Sequence, residues 1–128
     1  MKRDFDWSTG PLNEGLLCYR TKQFFEAHEH WEAVWLTLAE PEKTFLQALV
    51  QISAAFHHHQ RGNRIGAISL LTRSLRRLDR SPSPFCRLDV ERIRQEARRW
   101  LQALQHGQDL PEFFPEFRII EADQTTEQ

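Results

Sequence analysis

Between Pro41 and Gly62 the chain carries a helical stretch that is apolar on most of its circumference. Phe45, Leu49, Ile52 and Phe56 line one side, and Leu46 and Val50 fill a flank. A helix of this kind cannot lie on a surface; other helices must enclose it. It therefore fixes the architecture before any other segment is read. The expected fold is all-α: a single-domain bundle of about five helices, the third at the centre.

The flanking segments supply the other helices. A short first helix is expected after Pro11, running through Leu16, Leu17 and Tyr19. A second is expected from about Phe24 to Leu38, stopping before Pro41 because the residue preceding a proline avoids helical angles. Pro41 suits the first turn of the third helix, and Gly62 suits its left-handed end. Asn63 can cap a fourth helix to Asp79, with Ile65, Ile68, Leu71, Leu75 and Leu78 facing inward. Ser81-Pro82-Ser83-Pro84 breaks the pattern, and Asp89 caps a fifth helix ending at Gly107. Pro111 and Pro115 make Leu110 to Ile120 an extended arm packed on the bundle. The domain is thus expected over residues 1–120, with 121–128 a frayed polar tail.

Composition narrows the class. The chain has 128 residues and a formal net charge of −1, which favours neither nucleic acid nor a membrane surface as partner. Its nine phenylalanines and four tryptophans make a disulfide staple unnecessary, so Cys18 and Cys86 are expected as buried thiols in a reducing, cytoplasmic setting. No apolar run approaches the roughly 20 residues that span a bilayer, and the first residues lack a signal-peptide core.

Two helices carry polar residues where apolar ones would be expected. On the third, Gln47, Gln51, Ala54 and His58 form a stripe at about 100° per residue. On the second, an apolar arc of Phe24, Phe25, Ala27, Trp31, Val34, Trp35, Leu36 and Leu38 places His28 and Glu32 near its centre, with Glu29 at its edge. A buried carboxylate is costly without a partner. The expected cluster is therefore His28, Glu29, Glu32, Gln51, His58 and Asn63, walled by Phe24, Trp31 and Trp35.

These residues also carry a resemblance. Phe24-Phe25-Glu26-Ala27-His28-Glu29-His30-Trp31-Glu32-Ala33-Val34-Trp35 resembles the signature of domain-of-unknown-function family 309. Phe45-Leu46-Gln47-Ala48-Leu49-Val50-Gln51, followed by His58 and Arg61-Gly62-Asn63-Arg64-Ile65-Gly66-Ala67, is similar to its second signature. The resemblance covers roughly residues 12 to 79 and implies a small all-α bundle of bacteria and archaea with no established activity. It carries over to His28, Glu29, Glu32, Trp35, Gln51, His58, Gly62, Asn63 and Gly66. His30, His57 and His59 depart from the family pattern, which sets them outside the shared site.

Three functions follow from the pattern. In the first, the cluster is an internal hydrogen-bond network of a structural or binding domain. In the second, the cluster serves a small enzyme or ligand-binding protein, either as a small-molecule pocket without metal or with His28, Glu32 and His58 holding a divalent metal such as zinc or iron or doing acid–base chemistry; the zincin and di-iron spacings are absent. His57-His58-His59 adds little, because successive helical side chains diverge by about 100°. In the third, eleven arginines against four acids over residues 61–100 form an adaptor face for an anionic partner. The oligomeric state, a homo-oligomer included, is left open.

Overall fold

Each turn between helices is set by a local chemical signal. A computed structural model describes residues 5–120. Among these it has five helices and no strand, only isolated bridges pairing Phe85 with Leu88 and Leu88 with Ile119. The helices are α1 (Gly10–Arg20), α2 (Phe24–Trp35), α3 (Glu42–Gln60), α4 (Arg64–Leu78) and α5 (Val90–His106). The tail over 121–128 lies outside the described residues.

α3 ends where Gly62 turns left-handed at φ +77°. The N–H groups of Arg61, Gly62 and Asn63 then take up the last carbonyls, those of His57 to His59. The Asn63 side chain accepts from the Gly66 N–H at 3.0 Å and starts α4. Asp89 accepts from the Arg92 N–H and starts α5. Gly107, at φ +65°, ends it. α2 stops at Trp35, three residues short of the expected Leu38. There Thr37 and Leu38 donate three residues back, to Val34 and Trp35, so the turn tightens ahead of Pro41.

α3 is central as expected, packed between α2 and α4, with α1 on α2 and α5 on α4. Nine of its residues are buried, from Phe45 to Phe56. α4 faces inward through Ala67, Leu71, Ser74, Leu75 and Leu78. Ile65, expected on that stripe, is 82% exposed, because it lies roughly 140° round the helix from the centre of that face.

The C-terminal arm is extended and built into the core. Alternate carbonyls are taken by side chains from the helices. Trp100 Nε1 donates to Phe113 O, Tyr19 Oη to Pro115 O and Arg20 to Phe117 O. Phe117 stacks on Tyr19, and Phe114 stacks on Trp100 with its edges against Phe24 and Phe56. Phe5 and Trp7, which no periodic pattern marks, are also buried; Trp7 Nε1 donates to Cys86 O. Cys18 and Cys86, expected as buried thiols, are half-buried rather than fully enclosed.

Candidate functional site

The expected cluster separates into three pairs. His28 faces Glu32 one turn on, Nε2 to Oε1 at 3.8 Å. Gln51 Oε1 meets Arg77 of α4 at 3.5 Å. His58 Nδ1 meets Asn63 Nδ2 at 2.9 Å. Glu29 is exposed. Among the described residues, no polar bond ties these α2 residues to Gln51 or His58, so the register of α2 against α3 rests on apolar packing.

Glu32 departs furthest from expectation: its side chain is 47% exposed. The reason lies on the helical wheel. The buried residues of α2 are Phe24, Ala27, Trp31 and Val34, and this face continues to the buried Leu38 beyond the helix end. Phe25 and Leu36, counted in the apolar arc, are 45% and 65% exposed and pulled its apparent centre toward Glu32. Measured from the true face, His28 sits at the flank and Glu32 roughly 40° further out.

The expected walls also stand elsewhere. Phe24 is core against Tyr19, Phe56 and Phe114. Trp31 is fully buried, with Nε1 donating to Leu12 O at 3.2 Å. Its ring lies so close to α1 that a Cβ on Gly15 would collide with Nε1 and Cδ1. Trp35 is half-buried under the Lys43 ammonium, 5.2 Å from its ring centroid, and its own Nε1 is buried without a partner.

What remains is a cavity of about 130 Å³ lined by Phe25, His28, Ala54, His57 and His58. Its rings form a continuous series. His28 lies 5.9 Å from Phe25, Phe25 5.2 Å from His57, and His57 5.8 Å from His58, centroid to centroid. His28 Nδ1 is buried with no hydrogen-bond partner. Burial, with His58 and Arg61 alongside, holds the His57 imidazole below the usual histidine range. His57 and Phe25 were not expected at this site. The signal for them is spacing: Phe25 and His28 lie three apart on α2, and Ala54, His57 and His58 three and four apart on α3. His59 turns away to Trp100, and His30 pairs with Glu14 of α1 at 3.4 Å.

The arginines of residues 61–100 mostly work within the fold. Arg94 donates to Leu78 O and Ser81 O at the end of α4, and Arg64 to Leu104 O and Gln105 O at the end of α5. Arg98 pairs with Asp79, and Arg92 with Glu96 and Glu116.

Fold and cavity together define a class: a small helical bundle whose His-Glu-x-x-Glu helix lies beside a central helix ending in histidines. The family model described as "Domain of unknown function (DUF309)" matches residues 12–70, which include every residue of the cavity. A solved structure of the conserved hypothetical protein TTHA0068 from Thermus thermophilus is 33% identical with a TM-score of 0.62. The match covers 71% of this chain and 95% of that one. The chain belongs to the DUF309 family. No curated protein matches it. Neither description assigns an activity.

Proposed function

We propose that this is a binding domain, and that the ring-lined cavity between α2 and the end of α3 is its ligand site. The observation that carries the reading is the convergence of three imidazoles on one cavity, with His28 Nδ1 buried beside it and without a partner. Buried polar atoms are normally paired, and convergent polar groups in an aromatic concavity mark a small-ligand site. Of the six cluster residues expected from sequence, His28 and His58 line it, with Asn63 behind His58; Glu29 and Glu32 belong to the surrounding surface, and Gln51 of α3 faces Arg77 of α4.

A metal held by His28, Glu32 and His58 has less support. Among the described residues, no group of three or more histidines, cysteines, aspartates or glutamates is arranged to hold an ion. An anionic partner for the arginine face is likewise the weaker reading, since at least six of the eleven arginines donate within the chain. Among the described residues no helix is long and apolar enough to cross a membrane. The cytoplasm is the proposed compartment, because a core this rich in aromatic side chains holds together without disulfide staples.

The test follows the ring ¹⁵N and ¹H resonances of His28, His57 and His58 while acetamide, acetate, imidazole and zinc are titrated in turn. The expected result is a saturable shift of all three rings with one probe, leaving His106 unmoved. Rings that respond to none of the four would end the reading.

A further inference from the structure

The cavity's chemistry is set from behind by Asn63. Its Oδ1 accepts from the Gly66 N–H at 3.0 Å, which fixes the amide's orientation: turned over, two donors would face each other. Nδ2 must then donate to His58 Nδ1 at 2.9 Å. Residue 66 supports the same placement, since a Cβ there would lie 2.6 Å from Asn63 Nδ2 and only glycine leaves room for the amide. A neutral His58 whose Nδ1 accepts carries its proton on Nε2, the ring's remaining polar position. On His28 the bias falls the same way round. The Glu32 carboxylate stands on the Nε2 side at 3.8 Å and favours the proton there, leaving the buried Nδ1 as a bare acceptor.

Resting on the reading of the cavity as a binding site, we propose that it takes a small donor–acceptor group of the carboxamide type, with Asn63 as the residue that selects it. The ligand carbonyl accepts from His58 Nε2–H, and the ligand N–H donates to His28 Nδ1, which is closed off in the free protein and which a turn of the His28 ring brings to the cavity. A carboxylate would set its charge against the His28 lone pair. A metal ion would need the His58 nitrogen that carries the proton. In metal sites the second ring nitrogen of a ligating histidine donates to its neighbour, whereas here it accepts.

The experiment needs no ligand for its first arm. Long-range ¹⁵N–¹H spectra of the free protein should show the proton of His58 on Nε2; a proton on Nδ1 overturns the proposal, whatever the cavity binds. In the second arm, acetamide should shift His28 and His58 while acetate and zinc do not. Saturation by acetate or zinc, with acetamide silent, overturns the assignment of class but leaves the cavity a binding site. Silence from every probe ends both. The third arm is Asn63→Asp. A carboxylate still caps α4 as well as an amide does, so the fold should hold. It now accepts from His58 Nδ1, moving the proton there and freeing Nε2. The acetamide response should vanish and zinc affinity should rise about 10- to 100-fold, the usual scale for a change in a ligand's hydrogen-bond partner. Retained acetamide binding with His58 still protonated on Nε2 would show that Asn63 does not set the tautomer.

Discussion

On one side of α2, Trp31 is enclosed completely. Its indole N–H is bonded to Leu12 O, and its ring touches Trp7, Tyr19 and Phe117. About 60° round the same helix, His28 leaves a buried nitrogen unpaired beside a cavity. The first side is close-packed like an organic crystal, so even one added carbon must displace something. The second is bordered by rings that meet stacked, tilted and edge-on in turn, while the helices are fixed elsewhere. A small fold can keep such a gap only because the opposite face supplies the stability. Changes on the Trp31 side should therefore register as lost stability, and changes on the His28 side as altered binding with the fold intact.

The largest expected effect comes from a single methyl on α1. Gly15→Ala places Cβ against Trp31 Nε1, so either the ring tilts and loses its bond to Leu12 O or α1 backs away. Overpacking and a strained buried hydrogen bond together should cost about 3 kcal/mol. Equilibrium unfolding in urea measures it, and an unchanged midpoint would show that the indole is not wedged there. Tyr19→Phe comes next. The buried hydroxyl donates to Pro115 O at 2.7 Å, and burial holds the phenol well above its ordinary range. Losing it leaves a carbonyl of the arm unpaired at about 1–2 kcal/mol, with the Phe117 stack preserved. Faster amide exchange confined to residues 113–117 would be the accompanying sign.

How far these two sides could be read in advance depends on the range of the forces involved. Asn63, Asp89, Gly62 and Gly107 act on their own turn, so the helix boundaries they mark were legible residue by residue. The apolar circumference of α3 announced its central place, and Pro111 and Pro115 announced an extended arm. Gly15 bears no mark of its contact with Trp31, because that contact depends on how closely two helices approach. Phe5 and Trp7 lie outside any periodic segment. Glu32 was misplaced because exposed Phe25 and Leu36 weigh as much as buried residues on a wheel, and nothing in one helix says which apolar side chains its neighbours will cover. Asn63 admitted two roles in the sequence, helix cap and neighbour of His58; the side chain has two ends and fills both.

A smaller effect on the open side should appear with pH. The unfolded chain protonates His57 near its ordinary 6.5, whereas the folded chain does so only at lower pH. Between those values the unfolded state holds more protons, so stability is complete above about 6.5 and declines as the solution is acidified through the folded value. His57→Phe keeps a ring against Phe25 and removes the titration. Its unfolding midpoint should fall less than the wild type's between pH 7 and 5. Equal slopes would mean that the imidazole is not desolvated by the cavity.

The smallest expected effect divides the two sides most sharply. Had Glu32 been buried among the aromatic rings as the anchor of a polar network, Glu32→Gln would leave imidazoles without their charge partner and cost several kcal/mol. Half-exposed, with its carboxylate 3.8 Å from His28 Nε2, it makes only a solvent-screened contact. Such pairs contribute between zero and about 1 kcal/mol, so the urea midpoint should move by less than about 0.5 kcal/mol in free energy and the change should shrink in salt. The ring resonances are the more sensitive measurement. Removing the charge weakens the bias that keeps the His28 proton on Nε2, so the two ¹⁵N shifts of that ring should converge while those of His58, held by Asn63, stay apart. A loss of several kcal/mol instead would mean that Glu32 turns inward in solution, and the line between a packed face and an open one would have to be redrawn through the middle of α2.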